Sequence, residues 1–275
     1  MKVAPAAWPS RHLFDVRIDA VTTKQVLDAV DRAIAERRRL LITVVNAAKM
    51  VQIDRDRGLR RAVLGADLIL ADGMSIVWAC RLLGTPLPER VTGIDLMTRI
   101  LHRADRRQHR VYLLGATEEV LARVRSRIER QFSNAVIVGA RNGYFTKDEE
   151  AGVAAEIVAA APEILFVAMS SPRKEKFIAA WSETMNVPVC HGVGGAFDVF
   201  AGCVRRAPEM IQRLGLEWAY RAAQEPRRLG ARYLDTNTVF MFKLAKEAIQ
   251  RATRLVTGPV RKWVSPENRR KGRLA

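Results

Sequence analysis

The sequence contains few cysteines and no long apolar run. Its 275 residues include three cysteines, Cys80, Cys190 and Cys203, and so small and odd a number does not form the disulfide framework of secreted proteins. No segment reaches the roughly 18 consecutive apolar residues that span a membrane. The N-terminus lacks the charged and then apolar pattern of a signal peptide. We therefore expect a cytoplasmic protein.

Motifs for metals and for common nucleotide cofactors are also missing. The four histidines show no ligand-like spacing with the cysteines, so a zinc site is not expected. Neither the dinucleotide fingerprint nor the Walker lysine pattern occurs. The triplet Asp54-Arg55-Asp56 has the Asp-x-Asp form that holds a metal in some sugar transferases, but it falls inside a predicted helix. We interpret it as a solvated helix face and expect neither a metal nor a cofactor.

Positive charge is abundant and unevenly distributed. The formal net charge is +17, and residues 203–275 contribute 17 Lys/Arg against 6 Asp/Glu. A basic segment of this kind suits nucleic acid, an anionic membrane surface or phosphate-bearing substrates. Few aromatic residues lie between the basic ones, and no helix-turn-helix, zinc-finger or RNA-binding signature is present. We therefore expect no nucleic-acid partner and favour phosphate groups or a membrane surface.

Strand-like and helix-like segments alternate through about residue 200, which predicts a parallel sheet with helices on both faces. The fold predicted is α/β, a Rossmann-like parallel sheet flanked by helices with a C-terminal arginine-rich helical appendage. The predicted strands cover residues 40–45, 68–71, 111–114, 135–139, 164–169 and 187–190. The predicted helices cover residues 47–64, 74–83, 93–104, 118–132, 146–161 and 174–184, with a capping box at Thr146 and Glu149.

The composition changes near residue 203, which suggests three segments. Residues 1–202 form the α/β domain, residues 203–256 a basic helical appendage, and residues 257–275 a basic tail that we expect to be disordered. Residues 238–256 predict a basic amphipathic helix with Met241 and Leu244 on its apolar face. Such a helix either lies on a membrane or packs on the core with a solvated outer face.

Asp72 is the strongest candidate for a catalytic residue. It follows a short apolar run and precedes Gly73 and a predicted helix, so a buried strand delivers this carboxylate to its C-terminal end, where ligands bind in open α/β sheets. A lone carboxylate there can act as general base toward an attacking hydroxyl. The alternative is an N-cap for the helix that follows.

Other strand ends and one loop carry further candidates. Asn46 follows the first predicted strand, and residues 170–175 follow a later one. The turns at 115–117 and 192–195 are rich in glycine and open into helices, as backbone binding of phosphate requires. The loop 89–95 places a cation, a glycine and an acid before a helix; its alternative is a surface loop with an N-cap.

Arginines are concentrated in the appendage. Their planar guanidinium groups match phosphate oxygens and stay charged at all physiological pH values. Several arginines converging on one pocket could hold a diphosphate as a leaving group without a metal. For any single arginine, general surface basicity is the simpler explanation. The residues are Arg205, Arg206, Arg213, Arg221, Arg227, Arg228 and Arg232.

Taken together, these segments resemble the WecG/TagA/CpsF family of bacterial glycosyltransferases over roughly residues 15 to 235. The matching stretches are Ala66-Asp-Leu-Ile-Leu-Ala-Asp-Gly73, Glu89-Arg-Val-Thr-Gly-Ile-Asp-Leu-Met97, Gly192-Val-Gly-Gly-Ala-Phe-Asp198, Arg206-Ala-Pro208 and Leu214-Gly-Leu-Glu-Trp-Ala-Tyr-Arg-Ala-Ala-Gln-Glu-Pro-Arg-Arg228. The resemblance implies an inverting transfer of a sugar from a UDP-sugar donor to a polyprenyl-diphosphate-linked sugar, during synthesis of exopolysaccharide or another surface polysaccharide.

The resemblance also implies roles for residues. Asp72 is the base, and Arg90, Arg221, Arg228 and Arg232 lie at the donor diphosphate, with no bound metal. The appendage closes the site and touches the membrane, so we expect a peripheral protein on the inner face of the cell membrane. The further substrate-binding candidates are Asn46, Gly93, Asp95, Lys174, Glu175, Gly194, Gly195 and Arg206.

Two positions depart from the family pattern. The family has Thr two residues before Asn46, where this chain has Val44, with Thr43 one residue earlier. A shift of one residue along a strand turns a side chain to the opposite face, so Thr43 is not expected to replace it. Lys174 stands where the family has Gln. From these departures we expect a UDP-hexose donor such as UDP-glucose, with UDP-N-acetylmannosamine as the alternative.

Two other functions remain open at this point. A glycoside hydrolase would need a second carboxylate within about 5–10 Å of Asp72, for which Asp95 and Glu175 are conceivable. A non-enzymatic membrane- or nucleic-acid-binding module predicts salt-sensitive binding without turnover. We also expect that the chain can form a homo-oligomer.

Overall fold

A computed structural model describes residues 8–257, except for the side chains of residues 228, 231, 232 and 254–257. The strands are β1 (Ser10–Leu13), β2 (Val16–Asp19), β3 (Leu40–Val45), β4 (Leu68–Ala71), β5 (Arg110–Gly115), β6 (Val136–Arg141), β7 (Ile164–Ala168) and β8 (Val189–Gly192). Strands β3 to β8 form one parallel sheet in the order β4-β3-β8-β7-β5-β6. The predicted Rossmann-like α/β fold is confirmed.

Helices cover both faces of this sheet. They are α1 (Thr23–Ala35), α2 (Ala47–Arg55), α3 (Arg57–Leu64), α4 (Met74–Leu82), α5 (Gly93–Arg107), α6 (Glu118–Gln131), α7 (Glu150–Ala160), α8 (Arg173–Met185) and α9 (Ala196–Phe200). The strands β3, β4 and β7 are buried along their whole length, as parallel strands between two helical layers must be. Two apolar clusters, one on each face, form the core.

The predicted helix 47–64 is wrong in one respect, because it is two helices. Asp56 separates α2 from α3, and its Oδ1 accepts hydrogen bonds from the N–H groups of Gly58 and Leu59. This is an N-cap, which ends one helix and starts the next. The helix predicted from residue 146 begins at Glu150. The side chain of Glu149 accepts from the N–H of Thr146, but Thr146 makes no reciprocal cap.

An antiparallel hairpin of β1 and β2 precedes the sheet and was not predicted. It packs beside the edge strand β4. The carboxylate of Asp19 accepts a hydrogen bond from the N–H of Ile69, 2.8 Å away. Because Asp19 is largely buried, the loss of solvation raises the pKa of its carboxyl group, and the Ile69 hydrogen bond and the charge of Arg17 oppose this shift.

The C-terminal segment consists of α10 (Glu209–Arg213), α11 (Glu217–Gln224), a π-helical turn (Pro226–Gly230) and α12 (Ala231–Thr257). Helix α12 packs on α2, with Phe240 and Leu244 buried against the core. Of the two residues predicted on the apolar face, Leu244 is buried, whereas 59% of the Met241 side chain is exposed. Within residues 8–257, no helix is both long and apolar enough to cross a bilayer. The tail predicted to be disordered lies outside the described residues, apart from Thr257.

Candidate active site

The sheet order brings the predicted strand-end candidates to one edge. Strands β4, β3, β8 and β7 are consecutive neighbours, and all run in the same direction, so their C-terminal ends lie side by side. Asp72, Asn46, the turn 192–195 and residues 170–175 follow these four strands. The turn 115–117 follows β5, one strand further along the sheet.

Asp72 does not cap the helix that follows it. The N-cap of α4 is Gly73, which has no side chain to offer. Instead, Asp72 Oδ1 accepts a hydrogen bond from the N–H of Gly93, 3.0 Å away, in the first turn of α5. The N-terminal end of α5, the positive end of its dipole, therefore faces this carboxylate, and the hydrogen bond fixes its orientation.

Gly93 is fixed from two sides. Its N–H binds Asp72, and its carbonyl oxygen lies 3.2 Å from Nε2 of His191, a fully buried residue of β8. Burial lowers the pKa of His191 to about 4, so its ring is neutral at physiological pH. Both polar groups of Gly93 thus have protein partners. Gly93, predicted to bind substrate, positions Asp72, and His191, which sequence analysis did not select, supports it.

Arg90 is held by two residues of the appendage. Its Nη2 donates to Oε1 of Gln212, 3.1 Å away, and its Nη1 lies 3.5 Å from Oε2 of Glu217. Nε2 of Gln212 donates to the carbonyl oxygen of Ala207 at 2.7 Å, and this bond orients the amide so that its oxygen faces Arg90. Arg90, a cation of the α/β domain, therefore contacts the appendage directly.

Arg206 forms an ion pair with Asp95. Its two Nη atoms donate to the two carboxylate oxygens of Asp95 at 2.5 and 2.7 Å. The hydroxyl of Thr92 donates to Asp95 at 2.6 Å. Burial favours the neutral acid, but the hydrogen bonds from Arg206 and Thr92 outweigh it and hold the pKa of Asp95 below its usual value. Both residues, predicted to bind substrate, form a latch between α5 and the appendage.

Arg221 reaches the glycine turn after β8. A Cβ atom built on Gly195 would lie 2.8 Å from Nη2 of Arg221, so the guanidinium group lies directly over the backbone there. Gly194 has a left-handed backbone, with φ of 56°, which glycine adopts without strain. The structure thus brings this predicted arginine to a predicted phosphate-compatible turn. The side chains of Arg228 and Arg232 lie outside the described part of the chain.

Glu217 is a further residue of the site, which lies within the stretch 214–228 but was not among the predicted candidates. Burial raises the pKa of its carboxyl group, and the nearby charge of Asp72 raises it further, while Arg90, Arg206 and Arg221 oppose the shift. These interactions place Glu217 among the cations of the site and near the proposed base. Glu217 follows a glycine turn in the sequence. No sequence pattern relates this turn to Asp72, so the position of Glu217 in the site could not be predicted.

Lys174 and Glu175 form a buried charge cluster with Lys49. Oε1 of Glu175 lies 2.7 Å from the Nζ atoms of both lysines, and Lys49 also donates to the carbonyl oxygen of Val44 at 2.6 Å. Burial and the charge of Lys49 lower the pKa of Lys174. Burial opposes ionisation of Glu175, but the two ammonium groups outweigh it and lower the pKa of this carboxyl group. The cluster carries one net positive charge.

This cluster lies beneath the glycine turn. The Nζ atom of Lys174 is 3.6 Å from a Cβ atom built on Gly194, and its Cε is 3.2 Å from one built on Gly192. Lys174 therefore contacts the backbone of the turn and pairs with Glu175. Whether it also contacts substrate, as predicted, stays a prediction.

The two side chains at the departure on β3 point to opposite faces, as the sequence predicted. Val44 packs against Gly93, with its Cγ2 3.7 Å from a Cβ atom built there. Thr43 lines a cavity of about 230 Å³ between the sheet and helices α3 and α8, together with Lys174 and Glu175. Asn46, also a substrate-binding candidate, caps α2, because its Oδ1 accepts from the N–H of Lys49 at 3.0 Å.

The Asp54-Arg55-Asp56 triplet is engaged in contacts with neighbouring helices. Asp54 pairs with Lys243, Arg55 with Asp235, and Asp56 with Lys176. Within residues 8–257 no group of three or more His, Cys, Asp or Glu side chains is arranged to hold a metal ion. The triplet is a structural junction of α2, α3, α8 and α12.

Comparisons with known proteins identify the family of the chain. A curated relative from Bacillus spizizenii, N-acetylglucosaminyldiphosphoundecaprenol N-acetyl-beta-D-mannosaminyltransferase, is 40% identical over 163 residues. The alignment covers 59% of this chain and 63% of that protein, so the chain spans less than two thirds of its relative. The relative's name gives no support to the UDP-hexose donor expected above. A family model described as "Glycosyl transferase WecG/TagA/CpsF family" matches residues 11–254. The chain therefore belongs to the WecG/TagA/CpsF family of glycosyltransferases.

Proposed function

We propose that the chain is an inverting glycosyltransferase that moves a sugar from a UDP-sugar to a polyprenyl-diphosphate-linked sugar. One observation carries the proposal: the carboxylate of Asp72 lies at the sheet edge near the cations Arg90, Arg206 and Arg221. A base beside a cluster of guanidinium groups suits a reaction in which a hydroxyl attacks and a diphosphate leaves.

In the proposed reaction, Asp72 accepts the proton of the acceptor hydroxyl. The new bond forms between that oxygen and the anomeric carbon as the bond from this carbon to the diphosphate breaks, which inverts the configuration. Gly93 holds Oδ1 of Asp72. No described residue donates a hydrogen bond to Oδ2, which leaves this oxygen for the acceptor. The departing UDP takes the bonding electrons, and the arginines and the turn over which Arg221 lies stabilise its charge.

For the substrates, we take the relative as the guide. We propose an N-acetylglucosaminyl-diphosphate-polyprenol acceptor and an N-acetylmannosaminyl donor, in the synthesis of a surface polysaccharide. The neighbours of Val44 and Lys174 are compatible with this choice, since Val44 packs on Gly93 and Lys174 pairs with Glu175. Neither contact requires a hexose donor.

The decisive experiment offers the purified protein a panel of UDP-sugars together with a synthetic polyprenyl-diphosphate N-acetylglucosamine. We expect a disaccharide-lipid from UDP-N-acetylmannosamine, identified by mass and linkage. The Asp72→Asn variant should fold, because Asn retains an acceptor for Gly93, and should lose about 10²- to 10⁴-fold in rate. Normal turnover by this variant would remove Asp72 from the mechanism.

A glycoside hydrolase is the second enzymatic candidate, because Glu217 supplies a carboxylate near Asp72. The two partners considered from sequence are engaged elsewhere, Asp95 with Arg206 and Glu175 with two lysines. The surrounding arginines favour a phosphate-bearing substrate over a neutral glycoside. Release of free sugar without formation of a disaccharide-lipid in the same assay would support the hydrolase.

We further propose peripheral attachment to the inner face of the cell membrane through α12. Four large apolar side chains of this helix are exposed by 59–73%: Leu234, Met241, Phe242 and Ile249. Apolar groups on a basic helix are suited to an anionic membrane surface, where each basic residue adds about 1 kcal/mol. The double variant Phe242→Ser, Ile249→Ser should bind anionic vesicles less than wild type, with α12 still packed through Phe240. Equal binding by the variant and wild type would contradict attachment through this face of α12.

Homo-oligomer formation stays a prediction, which sedimentation would test.

A further inference from the structure

Glu217 lies among the groups to which the proposed donor diphosphate would bind. Its Oε2 is 3.5 Å from Nη1 of Arg90, and Arg206 and Arg221 are close enough to stabilise its charge. We propose that Glu217 is an internal substitute for the diphosphate in the donor-free enzyme, which the donor displaces from Arg90 and which takes up a proton as the donor binds. This inference rests on the proposed function and assigns a positioning role to Glu217.

The contacts of Arg90 allow such an exchange. A guanidinium group offers five N–H donors in a fixed plane, which match a carboxylate or a phosphate equally well. Arg90 has a second partner, Gln212, whose side chain is buried and whose amide is oriented by the carbonyl oxygen of Ala207. Gln212 is uncharged and would not repel a diphosphate. Arg90 therefore keeps its orientation when Glu217 leaves it.

The charges around Glu217 supply the reason for proton uptake. The charged groups that act on it among the described residues are Asp72, Arg90, Arg206 and Arg221. Burial and Asp72 already favour its neutral form, and only the three arginines favour the anion. A donor diphosphate would neutralise these arginines and add negative charge nearby. The carboxylate of Glu217 then takes a proton from solvent, and no bond of the donor is broken.

The sign of the pH dependence follows from this step. If the donor complex holds one more proton than the free enzyme and free donor, donor affinity rises as the pH falls. The change is at most about tenfold per pH unit, and it vanishes below the pKa of Glu217 in the free enzyme and above its pKa in the complex. A fixed structural ion pair between Arg90 and Glu217 predicts no such proton uptake.

The test is isothermal titration of UDP-N-acetylmannosamine into wild type and Glu217→Gln. This nucleotide sugar is a suitable probe because its diphosphate diester does not gain a proton near neutral pH, unlike the terminal phosphate of UDP. For wild type, the binding enthalpy measured in buffers of different ionisation enthalpy should reveal proton uptake. For Glu217→Gln, we expect no uptake, a flatter pH dependence and roughly twofold to fivefold tighter binding at the upper end of the pH range, the equivalent of a partly exposed ion pair.

Glu209→Gln is the matched control. Glu209 pairs with Arg213 on α10 at 2.6 Å, in the same appendage, and both side chains are largely exposed. Its removal should leave donor affinity and proton uptake unchanged. The thermal midpoint and circular dichroism of each variant verify folding. If Glu217→Gln does not fold, donor binding by wild type without proton uptake still refutes the proposal.

The outcomes separate the two proposals. Donor binding by wild type without proton uptake, or weaker binding by a folded Glu217→Gln variant, would refute the role of Glu217 while leaving the transferase assignment intact. Failure of wild type to bind or turn over any UDP-sugar would instead refute the proposed function, and the role of Glu217 with it. Proton uptake that persists in Glu217→Gln would assign it to another group.

Discussion

Replacing Gly215 with Ala should uncouple the appendage from the core without touching any proposed catalytic group. Gly215 lies between α10 and α11, with φ of 65°. A Cβ atom built there would lie 2.7 Å from two ring atoms of Trp78 and 3.3 Å from Cβ of Met74, both in the helix that follows Asp72. Gln212 and Glu217, the two partners of Arg90, flank this glycine. A shift at Gly215 therefore moves both.

The size of the effect can be worked from two contributions. A left-handed backbone costs an L residue about 1–2 kcal/mol, and an overpacked contact typically costs about 1–3 kcal/mol. Trp78 is 47% exposed and can yield in part, so we take about 2 kcal/mol as the combined cost, near the lower bound. Since about 1.4 kcal/mol corresponds to tenfold in an equilibrium, kcat/KM should fall roughly tenfold or more.

Two variants isolate the cause. Gly84 also has a left-handed backbone, with φ of 73°, but a Cβ atom there meets nothing within 4 Å, so Gly84→Ala carries the strain without the collision. It should lose stability and keep its kcat/KM. Adding Trp78→Ala to Gly215→Ala should recover part of the lost activity, because it removes the colliding ring. Wild-type kcat/KM in Gly215→Ala would refute the coupling of this turn to the site.

Three further predictions concern the groups that hold the site together. The pKa of buried His191 is lowered to about 4, so between pH 6.5 and 4 the unfolded chain binds a proton that the folded protein does not. The free energy of unfolding should therefore fall by up to about 3 kcal/mol as the pH is lowered from 6.5 to 4. His191→Asn should reduce this pH dependence in denaturant titrations. Glu175→Gln leaves two buried ammonium groups without their carboxylate and should cost about 3–5 kcal/mol in urea unfolding, whereas the exposed control Glu183→Gln should cost little. Arg206→Ala and Asp95→Ala should be coupled by about 1 kcal/mol in a double-mutant cycle of stability, and additive effects would contradict the latch.

The main sheet could be predicted from sequence because burial leaves a strong signal. Strands such as β4 and β7 are short apolar runs bounded by polar or glycine residues, and a parallel strand buried on both faces has this composition. The ends differ by one or two residues from those predicted. The break at Asp56 was missed, although aspartate is a common N-cap residue, because the apolar periodicity continues across it. The hairpin of residues 10–19 was not predicted.

The site was predicted only to the level of individual residues. Strand ends identify Asp72 and the glycine turn, since parallel strands bring their C-terminal ends together. They do not identify partners. Arg206 meets Asp95 across 111 residues and Arg90 meets Glu217 across 127, and no local periodicity relates such positions. Side chains assigned individually to substrate therefore turned out to bind each other.

The two departures from the family pattern act, in this structure, through their neighbours. Val44 packs on Gly93, whose N–H binds Asp72, so a change of shape at position 44 moves the proposed base. Lys174 places its ammonium group near Gly194, in the turn that Arg221 contacts at Gly195. Both residues can thus alter the placement of the donor without contacting its sugar. Val44→Thr should therefore change kcat through the position of Asp72 more than it changes the choice among UDP-sugars, and a switch of donor with unchanged kcat would show instead that position 44 contacts the sugar.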